Sequence, residues 1–123
     1  MSRSKERELI VCVLYARSMN GTYEDEQIKG EMIDVVRKVE AAVPVLDKII
    51  SDNLENWTID RLNYVDKMIL RLAVYEMKYT DIPYEIIIDE AIELTKKLTN
   101  LDDDKAKSFN NKLLDKIKNV LYQ

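Results

Sequence analysis

The scarcity of residues that interrupt helices is the feature that most narrows what this chain can fold into. Only two glycines and two prolines occur among its 123 residues. In a helix interior, Gly costs roughly 1 kcal/mol and Pro roughly 3 kcal/mol relative to Ala, whereas Leu, Lys and Glu are well tolerated. A chain with so few of these interrupting residues is expected to form long helices joined by short turns.

Apolar residues recur at helical spacing along most of the chain. Leu9, Val13 and Leu14, for example, fall on one face of a first helix. The helices are predicted over residues 4–19, 24–41, 44–57, 63–80 and 83–98, and from the Asp102–Asp104 cluster to Val120. Because no repeat or Ser/Gly linker divides the chain, we expect one all-α domain over residues 1–123, a compact bundle of six or seven helices.

Charge is unevenly distributed along the sequence. The net charge is −4, yet residues 1–20 carry four basic and two acidic groups, and residues 105–123 carry five basic groups and one acidic group. If the first and last helices lie side by side, the two basic ends form a local patch that attracts phosphates. The alternative is that these charges only solvate the ends of the helices.

Several classes of chemistry are excluded by composition. The chain has no histidine, so a Ser-His-Asp or Cys-His arrangement cannot form, and the usual zinc sites lose ligands. Two glycines, Gly21 and Gly30, are too few and too far apart for a phosphate-cradling loop. We therefore predict a protein that is not an enzyme, with no catalytic residues, no metal and no cofactor.

The apolar run around Cys12 mimics an export signal but does not match one. Glu6 and Glu8 interrupt the basic start, and eight apolar residues fall well short of the roughly 20 needed to span a bilayer. A lone cysteine in such a run is more typical of a buried core thiol than of a reactive one. These features favour a cytoplasmic protein without membrane contact.

The second half of the chain contains a series of ordered motifs. Following Trp57, they are Asp60-Arg61-Leu62, Val65-Asp66-Lys67, Ile69-Leu70-Arg71-Leu72-Ala73, Tyr75-Glu76, Ile82-Pro83, Asp89-Glu90-Ala91-Ile92-Glu93-Leu94 and Leu114-Asp115-Lys116. In their order and spacing these motifs resemble those of the NusB family, and Arg3, Lys5 and Arg7 before Val13-Leu14-Tyr15 add a weaker likeness. Residues 16–56 match no motif.

The resemblance implies a fold of two small helical bundles packed together and a function without catalysis. Members of the family bind the boxA element of nascent ribosomal RNA transcripts together with the ribosomal protein NusE, in an antitermination complex on RNA polymerase. Carried over by position, the residues that would contact RNA are Arg3, Lys5, Arg7, Tyr15, Lys105 and Phe109. Those that would contact NusE are Asp60 and Asp66.

Each of these assignments has a plainer structural alternative. Tyr15 and Phe109 both continue apolar stripes and could be core residues, and Asp66 could only stabilise the start of a helix. Arg71 is predicted to pair with Glu76 or Glu90 rather than with RNA.

Some positions depart from the family pattern. The Asp102–Asp104 cluster would repel phosphates beside the RNA face, and Asn110 and Lys112 replace Val and Gly of a family motif. The main alternative function is thus a protein-interaction module of the same fold with weak or no RNA binding. A third is the NusB-like domain of some ribosomal RNA cytosine methyltransferases, and a homodimer is possible.

Overall fold

The computed structural model describes residues 1–99 and 105–123, and within these ranges every regular element is helical. The predicted all-α class is therefore confirmed, with six α-helices and one short 3-10 helix in the described residues. None of the described helices has the length and hydropathy that crossing a bilayer requires. The helices are α1 (Arg3–Ser18), α2 (Gly30–Ala41), α3 (Val43–Asp52), α4 (Tyr64–Tyr79), α5 (Tyr84–Leu98) and α6 (Lys105–Leu121), and the 3-10 helix, η1, spans Ile59–Arg61.

Short polar side chains and prolines determine where the helices begin. The Ser2 hydroxyl accepts a hydrogen bond from the Lys5 amide at 3.1 Å, and the Asn63 side chain accepts one from the Val65 amide at 2.8 Å. Such caps satisfy amides that have no partner within the helix. Pro44 lies in the first turn of α3, as predicted, whereas Pro83 immediately precedes α5 instead of opening it.

The second helix is shorter than predicted. It begins at Gly30, whereas periodicity placed its start near residue 24. The Asp25 carboxylate accepts a hydrogen bond from the Gln27 amide at 2.8 Å, and the Asp25 carbonyl accepts one from the Ile28 amide at 3.0 Å. Asp side chains compete with helical hydrogen bonding in this way, so the segment forms a turn despite its apolar spacing.

Helix α4 forms the centre of the molecule. Its Leu70 and Val74 are fully buried, and it packs against α1, α3, α5 and α6. Helices α4, α5 and α6 pack on one another as one small bundle, and α1 and α3 cover the remaining sides of α4, with α2 resting on α1. This arrangement agrees with the predicted pair of packed helical bundles.

The two basic terminal helices, α1 and α6, are not close packing partners, so packing of the two helices does not supply the condition for a single basic patch. Helix α6 packs mainly on α4 and α5, whereas α1 packs mainly on α2 and α4. Helix α1 runs antiparallel to α4, because Arg7 contacts Glu76 near the end of α4 whereas Tyr15 lies beside Val65 near its start.

Candidate nucleic-acid interface

The basic residues at the start of α1 lie on two sides of that helix. Arg3 lines a cavity of about 330 Å³ between α1, α2 and α4. Lys5 instead lines an open groove of about 770 Å³ between α1 and α5, and it pairs with Glu8 at 3.7 Å. Residues two apart differ by roughly 200° around a helix, so this division follows directly from their spacing.

Arg7 does not lie on the surface. It is 5% exposed, and its Nε donates hydrogen bonds to both carboxylate oxygens of Glu76, at 3.0 and 3.1 Å. Burial raises the pKa of Glu76, and the guanidinium of Arg7 opposes that rise. The predicted phosphate contact at Arg7 does not match this position, because binding a phosphate would leave a buried carboxylate without its partner.

The groove between α1 and α5 contains both signs of charge. Lys97 pairs with Glu8 at 2.8 Å, and the Ser4 hydroxyl donates a hydrogen bond to Glu90 at 2.6 Å. Because Asp89 and Glu93 also line the groove, its carboxylates oppose the attraction that its lysines exert on phosphates. Arg3, which lies outside this groove, therefore has surroundings that favour a phosphate more than those of Lys5 do.

Tyr15 is a surface residue and not a core residue. Its side chain is 38% exposed and lines an apolar cavity of about 380 Å³ with Tyr23, Val65 and Leu98. Cys12 lies in the same cavity, where burial and the nearby Glu8 carboxylate raise the pKa of its thiol. The ring of Tyr15 is thus accessible to a planar group such as a base.

Phe109 and Lys105 share another face of the molecule. They lie four residues apart on α6, so they are on the same side of that helix. Phe109 is 38% exposed, and its ring centroid lies 6.5 Å from that of Trp57. The guanidinium of Arg61 lies 4.4 Å from the centre of the Trp57 ring. Tyr15, on α1, lines a different cavity.

The two acidic residues predicted to contact NusE differ in exposure. Asp60 is exposed in η1, whereas Asp66 is half-buried in the first turn of α4. The Asn110 amide donates hydrogen bonds to the Asp66 carboxylate at 3.4 Å and to the Thr95 hydroxyl at 3.0 Å. Burial raises the pKa of Asp66, and its hydrogen bond with Asn110 opposes the rise. Asp66 therefore also has the predicted structural role at the start of the helix.

Of two predictions about nearby side chains, one is wrong and the other concerns residues outside the described ranges. Arg71 pairs with Asp47 of α3 at 2.7 Å, and not with Glu76 or Glu90. The Asp102–Asp104 cluster, predicted to lie beside the RNA face, is outside the described residues.

Sequence reasoning missed several residues that the fold brings to these surfaces. Trp57 and Arg61 were noted only as motif residues and were given no role. A Trp followed four residues later by an Arg could have indicated the cation–π contact that the structure contains at the exposed Trp57 ring. Lys38 and Tyr79 reach the cavity of Arg3. Nothing in the sequence indicated this, because Lys38 lies in the segment without motif matches.

Comparison with known proteins identifies the family. The sequence profile described as the NusB family matches residues 4–119. The chain belongs to the NusB family. A Listeria innocua protein named transcription antitermination protein NusB is 38% identical over 93% of this chain and 94% of its own length. Its Ruminiclostridium cellulolyticum namesake is 36% identical over 95% of this chain and 88% of its own length.

Two further matches show how much of each chain the similarity covers. A NusB of Treponema denticola is 53% identical, but over 60% of this chain and 53% of its own length. Among solved structures, T. maritima NusB gives a TM-score of 0.81 at 28% identity, covering 97% of this chain and 92% of that one. This NusB membership places the chain among transcription antitermination factors and not among enzymes, as predicted.

A second solved structure is of antitermination factors NusB and NusE in complex with dsRNA. One of its chains matches with a TM-score of 0.78 at 26% identity, over 98% of this chain and 99% of that one. The NusB fold of this chain is therefore one that occurs in a solved complex with both an RNA and NusE.

Proposed function

We propose that this chain is a transcription antitermination factor that binds boxA-like single-stranded RNA jointly with the ribosomal protein NusE. The observation that carries the proposal is the match over nearly the whole chain to a structure of NusB and NusE in complex with dsRNA. Family membership over residues 4–119 supports it. The residues that we assign to RNA and NusE binding are those that the family motifs imply and that lie on the surfaces described above.

The RNA-binding surface in this proposal consists of Arg3, Lys5, Tyr15, Lys105 and Phe109. Single-stranded RNA is held by cations that contact phosphates and by aromatic rings on which bases stack, at about 1–3 kcal/mol per base. Tyr15 and Phe109 are each 38% exposed, so a base can reach both residues. Arg7 supports this surface indirectly, because its pair with Glu76 holds α1 on α4.

The NusE-binding surface in this proposal is centred on Asp60, with Asp66 beside it. An acidic surface that meets a basic protein accelerates encounter and fixes orientation more than it adds affinity. Asp60 is exposed in η1 and can act in this way, whereas Asp66 is half-buried and bonded to Asn110. We therefore expect charge reversal at Asp60 to weaken NusE binding without unfolding the protein.

The remaining parts of the proposal concern the setting in which the protein acts. Residues 1–123 form one domain that acts in the cytoplasm, within the antitermination complex on RNA polymerase. Co-purification of RNA polymerase with tagged protein on a boxA-containing transcript tests this assembly. Sedimentation of the free protein tests whether it is a monomer or a homodimer.

RNA binding is tested by fluorescence anisotropy of a labelled boxA-like RNA in the presence of NusE. The variant Arg3→Ala/Lys5→Ala is expected to bind more weakly and with a shallower salt dependence, since each lost phosphate contact reduces the slope by about 0.7 for a single strand. Lys48→Ala is the control, because Lys48 is an exposed lysine of α3 that pairs with Asp52. Equal affinities for the double variant and the control would contradict the proposed RNA surface.

A protein-interaction module with weak or no RNA binding is the second candidate. It is favoured by the burial of Arg7, the pairing of Lys5 with Glu8 and the carboxylates of the α1–α5 groove. Asp60→Lys should weaken capture of NusE under both hypotheses. Arg3→Ala/Lys5→Ala should change RNA affinity only under the first, so the pair of variants separates the two candidates.

A further inference from the structure

The cavity that Arg3 lines has the features of a nucleotide site that the motifs do not reveal. We call it the α1–α2 site, and its walls include Arg3 of α1, Lys38 of α2, and Tyr75 and Tyr79 of α4. Its volume of about 330 Å³ is at the lower end of the range typical of small-molecule pockets, roughly 300–1,000 Å³. It is therefore large enough for one nucleotide and too small to receive a folded protein segment.

Charge in the α1–α2 site favours an anion. Arg7 and Glu76 also line it, but they neutralise each other as an ion pair at 3.0 Å. Arg3 and Lys38 form no salt bridge with a carboxylate of the described residues, although the charge of Arg3 also lowers the pKa of Glu76. Both side chains can therefore turn to an incoming phosphate. Glu6 is the one other carboxylate on the walls, and Arg3 and Lys38 outnumber it.

The aromatic part of the site offers a face on which a base can stack. Tyr79 is 49% exposed, and its ring centroid lies 5.3 Å from that of Tyr75 at an interplanar angle of 39°. The ammonium group of Lys78 lies 5.6 Å from the centre of the Tyr79 ring. Contact with Tyr75 restrains the ring, so less conformational entropy is lost when a base stacks on it.

We propose that the α1–α2 site is an additional RNA subsite, in which Arg3 and Lys38 hold one phosphate and Tyr79 stacks the adjacent base. The inference rests on the proposed RNA-binding function and extends it onto α2, an element without family motifs. RNA is favoured over a small anion because Arg3 belongs both to this site and to the proposed RNA surface. A strand that contacts Arg3 can therefore also enter the cavity.

The test measures the affinity of wild type and variants for a labelled boxA-like RNA by anisotropy, with NusE present. Lys38→Ala is expected to weaken binding about 5-fold at 0.1 M salt, which follows from a slope of about 0.7 per phosphate contact. Arg37→Ala is the matched control, because it removes the same charge from the neighbouring, exposed position of α2 that does not line the site.

A second variant tests the stacking contact. Tyr79→Leu keeps an apolar side chain but removes the ring, and loss of one stacked base should weaken binding by about 5- to 150-fold. Tyr79→Phe should retain the wild-type affinity, because stacking needs the ring and not the hydroxyl. Capture of NusE and the far-UV circular dichroism spectrum should be unchanged in both variants.

The outcomes distinguish this inference from the proposed function. If wild type binds the RNA but Lys38→Ala behaves like Arg37→Ala, the subsite is refuted and the proposed function stands. If wild type does not bind the RNA, the proposed function fails and the subsite fails with it. Should Tyr79→Leu unfold, the comparison of Lys38→Ala with Arg37→Ala decides alone.

Discussion

Replacing Arg7 with Met tests whether this cation belongs to the interior or to the RNA surface. Arg7 is 5% exposed and makes two hydrogen bonds, at 3.0 and 3.1 Å, to the carboxylate of Glu76. Removing one partner of a buried ion pair costs about 3–5 kcal/mol, because the other charge is left without compensation. We expect the loss of unfolding free energy to be at the lower end of this range, about 3 kcal/mol, because the Glu76 carboxylate can take up a proton and so lose its buried charge.

The assay is urea unfolding followed by circular dichroism. With an m-value of about 1–3 kcal/mol/M, a loss of about 3 kcal/mol lowers the midpoint by roughly 1–3 M. Arg17→Met is the matched control, because Arg17 is an Arg of the same helix that pairs with Glu40 at 2.7 Å but is half-exposed. Pairs of that kind contribute only about 0–1 kcal/mol.

The pH dependence of the Arg7→Met variant gives an independent check on the cause. Without the guanidinium, the pKa of Glu76 rises further above its ordinary value of 4.5. A carboxyl whose pKa is raised in the folded state stabilises the fold below its unfolded pKa, and that stability is lost as the pH rises through the folded pKa. The destabilisation should accordingly be largest at neutral pH and shrink as the pH falls toward 4.5.

A different pattern would refute this reasoning. If Arg7→Met is no more destabilising than Arg17→Met, and the folded variant instead binds RNA more weakly, then Arg7 contacts phosphate and the buried pair does not exist in solution. The double variant Arg7→Met/Glu76→Leu should recover much of the lost stability, because an apolar pair removes both buried charges.

Three further predictions follow from other buried or half-buried groups. Because burial raises the pKa of Asp66, wild type should gain stability as the pH falls from 7 toward 3.8, and Asp66→Asn should lose part of that gain in urea titrations at each pH. Asn110→Val should destabilise by about 1–3 kcal/mol, since Asn110 is 1% exposed and its loss leaves Asp66 without that hydrogen bond; unchanged stability would contradict this. Bound RNA should slow alkylation of Cys12, as followed by mass spectrometry, because Tyr15 lines the same cavity; an unaltered rate would argue against a base at Tyr15.

Local signals were sufficient for most of the helical architecture. Asn63 caps α4, whose start was predicted at residue 63, and Pro44 lies in the first turn of α3, whose start was predicted at residue 44. The error at the start of α2 arose because a single Asp25 side chain converts an apolar periodic segment into a turn. Periodicity records which residues can share a face, but not whether the backbone of that segment is helical.

The site was less accessible to sequence reasoning, because it depends on how helices pack. The arginine-rich start of α1 reads as one basic cluster, yet packing on α4 buries Arg7 and leaves Arg3 exposed. The partner of Arg7, Glu76, is 69 residues away, and nothing local identifies it. In the same way, Lys38 reaches the cavity of Arg3 only because α2 rests on α1.

The most direct test of the central claim is the affinity of the protein for boxA-like RNA measured with and without saturating NusE at the same salt concentration. Joint binding predicts a coupling between the two partners, typically about 5- to 150-fold tighter RNA binding when NusE is present, and an equal increase in NusE affinity when RNA is present. An RNA affinity that NusE leaves unchanged would contradict the account.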